Sequence, residues 1–137
     1  MRVIVDTCVV LDVLLDRKPF AGAATRVFNL AERSEIEAFL CATTITTVDY
    51  LLTQSLPHKK AREAILMLLE VFEIAVVNRP VLEEALRSRL TDFKDAVLAQ
   101  SGCLAGADSI ITRNTKDFRH SPLKVLEPVE FLSQMST

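Results

Sequence analysis

The sequence predicts an α/β fold in which helices cover both faces of a parallel sheet. Short apolar segments rich in β-branched residues alternate along the 137 residues with longer segments of helical periodicity. Strands that alternate with helices pair in parallel through right-handed crossovers, and such a sheet is buried on both faces. No internal repeat, low-complexity segment or Pro/Gly-rich linker interrupts this order, so we expect residues 1–137 to form one domain.

The first strand is an apolar run that stops abruptly at Asp6, and residues 9–15 are predicted to follow it as a short helix or turn. A longer helix is predicted from Pro19 to about residue 33, because apolar side chains recur on one of its faces. Residues 36–42 then form the second strand. The apolar stripe expected to lie on the sheet consists of Ala23, Val27, Leu30 and Ala31.

Two helices are predicted after the second strand. Thr43 and Thr44 offer hydroxyls to cap the first of them, which is expected to extend towards Leu56 and to end at Pro57. The next helix, over residues 59–71, is basic at its start and then apolar over more of its circumference than an ordinary surface helix. Such a helix is either buried in the centre of the protein or covered by a partner, and the sequence leaves both possibilities open.

The second half of the chain continues the alternation. A third strand is predicted over residues 73–77 and a helix from Pro80 to about residue 90. The helix over residues 92–105 is expected to end at Gly106, a natural C-cap. The fourth strand, the fifth strand and the terminal helix are predicted over residues 107–112, 124–126 and 129–135.

Composition argues against several classes of protein. Half of the residues are hydrophobic, yet no apolar run approaches the roughly 20 residues that span a bilayer and no signal-like segment is recognisable, so we expect a soluble cytoplasmic protein. The three cysteines, Cys8, Cys41 and Cys103, lack disulfide and zinc-site spacing, and we expect Cys41 and Cys103 to be small buried residues. With a formal net charge of −2, any contact with nucleic acid must come from a local basic patch.

Acidic and amide side chains recur at positions expected to meet at one edge of the sheet. Asp6 follows the first strand, Asp49 lies in the helix after the second, and Asp95 lies near a helix start. Asn114 and Asp117 follow the fourth strand. Ligands of open α/β sheets bind outside the carboxyl ends of the strands, so this pattern indicates a functional edge.

Each of these positions also has a purely structural explanation. Asp6 can cap the helix that follows it, and Asp92 with Asp95 can form a helix cap and its capping-box partner. Asn114 and Asp117 can belong to a polar turn.

The acids are harder to explain together than singly. Two carboxylates about 4 Å apart repel each other by roughly 4 kcal/mol at an effective dielectric constant of about 20, and a larger cluster multiplies this cost. A bound cation relieves the repulsion. Oxygen ligands without Cys or His select Mg²⁺ or Mn²⁺ over zinc, and such an ion can orient a phosphodiester and activate a water.

Four segments of the chain carry a resemblance to a known family. They are V-I-V-D-T-x-V-V-L-D at the N-terminus, T-x-x-T-x-x-D ending at Asp49, D-F-K-D-A-V-L-A starting at Asp92, and G-A-D-S-I-I-T-R-N-T-K-D-F starting at Gly106. In this order they resemble a PIN domain of the kind found in VapC-type toxins, over essentially the whole chain. The resemblance implies a three-layer α/β/α sandwich with a five-stranded parallel sheet, metal-dependent endoribonuclease activity, frequent homodimers and, for a toxin, a small antitoxin that blocks the active site.

The resemblance also implies roles for individual residues. Asp6 and Asp95 match family acids that bind the metal directly. Asp49 stands where the family usually has Glu, one methylene longer. Asn114 occupies the position of the fourth acid, and Asp117 is close enough in sequence to supply the missing charge.

The chain departs from the family pattern at Cys8, which replaces the Asn of the usual D-T-N, as well as at Asp49 and Asn114. An alternative to an active ribonuclease is therefore a catalytically weakened PIN-fold module that binds RNA or protein. A nucleophilic role for Cys8 is disfavoured, because neither histidine has a sequence-level reason to act as its base.

Several cations flank the acidic edge in the sequence. Lys94, Arg113 and Lys116 are candidates to hold RNA phosphates, together with Arg119, although isolated surface cations are usually only solvated. Asp12 and Asp16 are expected to cap or salt-link the first helical turns rather than to bind metal. No base-reading motif indicates which RNA is recognised.

Overall fold

The structure, a computed structural model, describes residues 1–136. Its strands are Arg2–Val5 (β1), Glu37–Cys41 (β2), Glu73–Ala75 (β3), Ser109–Ile111 (β4) and Lys124–Leu126 (β5). Its α-helices are Thr7–Leu14 (α1), Ala21–Glu32 (α2), Ala42–Leu52 (α3), His58–Val71 (α4), Arg79–Arg87 (α5), Phe93–Ala105 (α6) and Pro128–Met135 (α7), and a 3₁₀ turn covers Thr115–Phe118.

The strands form one parallel sheet in the order β3-β2-β1-β4-β5, which confirms the predicted fold class. β1 lies at the centre and pairs with β2 on one side and β4 on the other. Val3 and Val5 pack into a core cluster with helices α1–α4 and α7, whereas Ile4 packs on the opposite face with α5 and α6. This alternation places the sheet between two helical layers and buries Val3, Ile4 and Val5 of the central strand completely.

The fourth strand begins two residues later than predicted because the end of α6 uses the backbone of residue 107. Gly106 adopts a left-handed backbone, with φ of 79°, as expected for a C-cap glycine. The N–H of Ala107 donates to the carbonyl of Gly102 (2.9 Å) and closes the last turn of the helix. Residue 107 therefore belongs to the helix cap and not to the sheet.

The predicted cap and end of α3 are wrong. The helix begins directly after β2, with Cys41 as the capping residue and no side-chain hydrogen bond at the cap. Thr43 and Thr44 lie inside the first turn, where the Thr44 hydroxyl is 3.0 Å from the Thr7 hydroxyl of α1. The helix ends at Leu52, and the N–H of Leu56 closes a turn onto the carbonyl of that residue (2.8 Å).

The buried face of α2 differs in part from the predicted stripe. Val27 and Ala31 are buried as expected, but Ala23 and Leu30 are only partly buried. Phe28, which packs edge-on against Phe72 with ring centroids 4.9 Å apart, turns this face towards α4. The full set of buried residues on the helix is Ala21, Ala24, Val27, Phe28 and Ala31.

Helix α4 lies at the surface, so the possibility that it is a central core helix is wrong. Ala61 and Leu68 are its buried residues. Leu66 and Leu69 remain 62% and 48% exposed, which leaves an apolar outer face on α4.

Two cysteines were predicted to be small buried residues. The prediction is confirmed for Cys41, which is buried, but Cys103 is only partly buried. None of the helices over residues 1–136 is long and apolar enough to cross a membrane.

Candidate functional site

Asp6 lies where β1 ends and α1 begins, at the carboxyl edge of the sheet. Its Oδ1 atom accepts the backbone N–H of Thr7 (2.8 Å), so it caps α1. Its Oδ2 atom accepts the hydroxyl of Thr112 from the end of β4 (2.7 Å). A carboxylate has about four lone-pair sites, so both contacts leave Asp6 able to accept a further ligand.

Asp95 reaches the same edge from the first turn of α6. Asp92 caps this helix by accepting the backbone N–H of Asp95 (3.0 Å), as predicted, and the bond leaves the carboxylate of Asp95 uncommitted. Asp6 and Asp95 line one narrow cleft of about 10 Å³, about the space of one water molecule. The other residues that line the cleft are Thr7, Thr43, Thr44, Thr47, Lys94 and Leu98.

The acids at this edge interact electrostatically. The pKa of Asp95 rises from 3.8 to about 6, first because the carboxyl is partly buried and then because Asp6, Asp92 and Asp117 repel its charge. Lys94 opposes this shift. The repulsion that the sequence predicted is therefore present in the folded chain and acts on Asp95.

Asn114 and Asp117 follow β4 on an exposed loop. The backbone N–H of Asn114 donates to the hydroxyl oxygen of Thr112 (2.9 Å), and the N–H of Asp117 donates to the carbonyl of Asn114 (3.0 Å). The predicted polar turn is thus the entry to the 3₁₀ turn. The charge of Asp117 raises the pKa of Asp95, but neither Asn114 nor Asp117 lines the cleft that Asp6 and Asp95 share.

Asp49 is not brought into the cleft. Thr43, Thr44 and Thr47 are the residues of α3 that line it. Asp49 follows Thr47 by two positions, which places it about 200° further around the helix. Its Oδ1 atom lies 3.7 Å from Nε of Arg62 on α4, too far for a hydrogen bond, and is buried without a hydrogen-bond partner within residues 1–136.

The predicted cations occupy different environments. Lys94 lines the cleft, and Lys116 is exposed beside Arg119. Arg113 turns away from the acids and forms two hydrogen bonds with Asp12, from Nε to Oδ2 (2.6 Å) and from Nη2 to Oδ1 (3.0 Å). The bonds to Asp12 raise the pKa of Arg113. Asp12 therefore forms the predicted salt link, but with a residue of a distant segment.

Thr112 is a site residue that the predictions missed. It is fully buried, and its hydroxyl connects Asp6 with the backbone of Asn114. Its position as the last residue of the predicted fourth strand, two residues before Asn114, was the available sequence signal.

Cys8 contacts the same hydroxyl and carboxylate. Its Sγ atom lies 3.5 Å from Oδ2 of Asp6 and 3.7 Å from Oγ1 of Thr112. Burial, followed by the charge of Asp6, raises the pKa of the Cys8 thiol to about 11. The thiol is consequently neutral near pH 7, which argues against a nucleophilic role.

The donor set consists of oxygen atoms, which are the ligands that hard divalent cations prefer. Within residues 1–136, no three acidic, histidine or cysteine side chains are grouped closely enough to hold a metal ion by themselves. Mg²⁺ is often bound by one or two carboxylates, with waters and substrate phosphates in its other positions. Asp6 and Asp95 supply two carboxylates at one small cleft, so their chemistry is compatible with such an ion.

Comparisons with known proteins identify the family of the chain and agree with its fold. A family model described as a PIN domain matches residues 2–116. No curated protein sequence matches the chain.

Solved structures share the fold at low sequence identity. A chain of VapBC2 from Rickettsia felis, solved with a DNA fragment from its promoter, has a TM-score of 0.73 at 14% identity and covers 93% of this chain and 98% of its own. A toxin–antitoxin complex from Klebsiella pneumoniae gives 0.70 at 20% identity, with coverage of 92% and 97%. VapC20 from Mycobacterium tuberculosis, a toxin that cleaves the sarcin–ricin loop, gives 0.63 at 17% identity, with coverage of 79% and 86%.

Proposed function

This chain belongs to the PIN-domain family, and on that premise we propose that it is a metal-dependent endoribonuclease that hydrolyses RNA phosphodiester bonds. The observation that carries the proposal is the meeting of Asp6 and Asp95 in one small cleft at the carboxyl edge of the sheet. We treat residues 1–137 as a single PIN domain in this proposal.

Asp6 and Asp95 would hold Mg²⁺ or Mn²⁺, which when bound neutralises charge on the phosphodiester and acidifies an attacking water. Thr112 donates its hydroxyl to Asp6 and so fixes the rotation of that carboxylate. Asn114 and Asp117 do not line the cleft, but Asn114 is bonded to Thr112 and the charge of Asp117 acts on Asp95, and we assign both residues to the outer shell of the ion.

Asp49 is proposed to act on the site from outside the cleft, through water. The Asp49 side chain is 31% exposed although its Oδ1 atom is buried, so the carboxylate still reaches solvent, and the ion pair with Arg62 is long at 3.7 Å. A residue in this position contributes less than a direct ligand. Asp49→Asn should therefore reduce cleavage less than the same change at Asp6 or Asp95.

Lys94 and Lys116 are proposed to hold phosphates of the RNA. Lys94 borders the cleft itself, and Lys116 is exposed on the loop after β4. Contacts of this kind position a nucleic acid without reading its sequence. The RNA-cleaving activity stated for the Mycobacterium tuberculosis toxin supports RNA as the substrate class.

The deciding experiment is cleavage of a structured RNA in Mn²⁺, with and without a chelator. We expect cleavage that the chelator abolishes and that Asp6→Asn and Asp95→Asn each reduce by at least about 100-fold, as for groups that hold a catalytic ion. Asp16→Asn is the matched control, because Asp16 is an exposed acid with φ of 48° that Asn tolerates. Chelator-insensitive cleavage, or an undiminished Asp95→Asn variant, would contradict the mechanism.

The biological role proposed is that of a toxin paired with a small antitoxin protein. The support is the likeness in fold to a chain of a toxin–antitoxin complex. We expect a small protein encoded next to this chain to co-purify with it and to suppress RNA cleavage. Active cleavage that such a neighbour neither binds nor suppresses would exclude the pairing.

A second copy of this chain is proposed to cover the outer face of α4. Leu66 and Leu69 form its exposed apolar centre. Lys59 and Arg62 lie at the N-terminal end of the same face, and Glu70 lies at the C-terminal end. An antiparallel pair of α4 helices related by a two-fold axis places the basic end of each copy against the acidic end of the other, so the face is complementary to itself.

A catalytically weakened binding module is the second candidate function. The observation that favours it is that the cleft brings together only two of the predicted acids within residues 1–136, with Cys8 beside them. Calorimetric titration with Mn²⁺ separates the two candidates. Absence of binding at millimolar metal, with RNA binding retained, would favour the module.

A further inference from the structure

The loop after β4 is fastened to α1 at two points. Thr112 donates its hydroxyl to Asp6, the capping residue of α1 (2.7 Å). The next residue, Arg113, reaches Asp12 in the last turn of the same helix. These attachment points are six residues apart in sequence, or about 9 Å along a helix axis, so they fix both the place and the direction of the loop.

The second attachment is built with more than one contact. Asp12 is fully buried and accepts two hydrogen bonds from the guanidinium of Arg113, at 2.6 and 3.0 Å. The guanidinium carbon lies 3.8 Å from the ring centroid of Phe20, so the cation also stacks on an aromatic face. Arg17 approaches the same carboxylate at 3.8 Å.

A buried ion pair of this kind is poor evidence for a contribution to stability. Removing Asp12 and Arg113 from water costs free energy that their attraction only approximately repays. What the pair does supply is geometry, because a two-point contact between a guanidinium and a carboxylate fixes distance and orientation together. The same contacts leave Arg113 poorly placed to bind an RNA phosphate.

We propose that Asp12 and Arg113 are positioning residues of the cleavage site. They hold the loop so that Thr112 orients the carboxylate of Asp6 and so that the backbone of Asn114 stays bonded to Thr112. This inference rests on the proposed ribonuclease function, and it replaces the phosphate-binding role predicted for Arg113.

Two substitutions with different effects on charge test the inference. Asp12→Asn keeps the Arg113 guanidinium but removes the charge that holds it. Arg113→Lys keeps the positive charge but loses the two-point contact with Asp12. A phosphate contact by Arg113 predicts that Asp12→Asn leaves RNA binding equal or tighter and that Arg113→Lys weakens it mildly through KM. Positioning predicts that both variants lower kcat by about 10- to 100-fold, the range for groups that orient metal ligands, with little change in KM.

Two further measurements distinguish a misplaced loop from a variant that fails to fold. RNA binding measured in chelator should be unchanged in both variants, because neither removes a phosphate contact. The double variant should be no worse than the poorer single variant, since both changes break one contact. Phe20→Leu provides a change that folds readily, because Phe20 is 41% exposed; it removes the stacking partner and should lower kcat by a smaller factor.

Hydrogen exchange measured without metal tests this inference separately from the proposed function. The backbone N–H of Asn114 donates to the hydroxyl oxygen of Thr112 (2.9 Å). Its hydrogen should exchange at least about tenfold faster in Asp12→Asn and Arg113→Lys than in the unmodified protein. Unchanged exchange in both variants overturns the inference whatever the activity. If the unmodified protein does not cleave RNA in Mn²⁺, the proposed function fails, and accelerated exchange still supports the positioning of the loop.

Discussion

At the scale of single residues, one carboxylate serves the fold and the site together. Asp6 caps α1 through Oδ1 and accepts Thr112 through Oδ2, so the two explanations suggested by the sequence are compatible. The capping bond holds the carboxylate at the sheet edge before any ligand arrives. Removing the side chain would therefore affect the start of the helix as well as any bound ion, whereas Asn keeps the capping oxygen.

Asp95→Asn should stabilise the protein near neutral pH. The pKa of Asp95 is raised to about 6, so the folded protein binds more protons than the unfolded chain between about pH 4 and 6, and stability falls as the pH rises through that range. Asn removes this penalty, which solvent screening of the partly exposed group limits to on the order of 1 kcal/mol. Urea unfolding of both proteins in chelator, at pH 4 and pH 7, measures the effect. Equal differences at both pH values would contradict it.

Cys8 should react slowly with alkylating reagents. A thiol with a pKa of about 11 has roughly 100-fold less thiolate near pH 7.5 than one with an ordinary pKa. Mass spectrometry after timed treatment with iodoacetamide measures the rate at Cys8, with free glutathione as the control. Alkylation as fast as that of glutathione would refute the neutral thiol and revive a nucleophilic role.

The sequence predicts which acids approach the edge better than which way they face. Asp6 and Asp95 follow a strand end and a helix start, and these backbone positions leave little freedom. Asp49 lies in the middle of a helix, where orientation depends on the side that is buried. Val48 and Leu52 turn inward on α3, and that packing directs Asp49 towards Arg62. Residue spacing alone does not show which face of α3 packs against the core, so it did not predict the orientation of Asp49.

At the scale of elements, α6 is held unusually close to the central strand. A Cβ atom on Gly102 would lie 2.9 Å from Cγ2 of Ile4 and 3.0 Å from Cδ1 of Leu123. The glycine thus permits the close approach between the helix that carries Asp95 and the strand that leads to Asp6.

Gly102→Ala should lower the free energy of unfolding by about 1–3 kcal/mol, because the added methyl group overpacks the contact with Ile4. Gly22→Ala is the matched control: Gly22 is also helical but has no atom within 4 Å of the added carbon. The control should raise stability by about 0.5 kcal/mol through helix propensity. Chemical denaturation measures both, and equal effects would show that the close contact has no cost.

Strand and helix ends were less predictable than the elements themselves. The position of Gly106 correctly indicated the end of α6, because few residues adopt the left-handed cap conformation so readily. The start of α3 was misplaced because Thr43 and Thr44 resemble capping residues, although the helix is capped two residues before Thr43, at Cys41. Hydroxyl side chains serve equally well as caps and as contacts between helices, and only tertiary packing distinguishes the two.

At the scale of the whole molecule, the α4 face makes a prediction about assembly. Leu66→Glu should convert a dimer to a monomer, because it places a charge at the centre of the proposed two-fold interface. Leu86→Glu on α5 is the control, since Leu86 is 73% exposed on a different face and should leave assembly unchanged. Light scattering coupled to size-exclusion chromatography gives the mass of each. An unmodified protein that is monomeric at all concentrations would exclude the dimer.

The fold class was predictable because alternation of strands and helices allows few arrangements. The family assignment was predictable as well, since the four motifs of the resemblance span the range matched by the PIN-domain model. The strand order was not predicted. The order depends on whether each crossover places the next strand on one side of β1 or on the other. The local pattern of residues such as Val3, Ile4 and Val5 is the same in both cases.

The mutual repulsion of the edge acids bears on how such a protein can change over generations. Asp6, Asp95 and Asp117 stand on separate segments, and the charges of Asp6 and Asp117 both oppose ionisation of Asp95 in the folded chain. Any mutation that neutralises Asp95 is expected to relieve strain while leaving the central sheet untouched. Random drift is therefore thermodynamically biased towards descendants that lack this carboxylate and have a more stable fold, and selection for the proposed cleavage activity would be what keeps the acids in place.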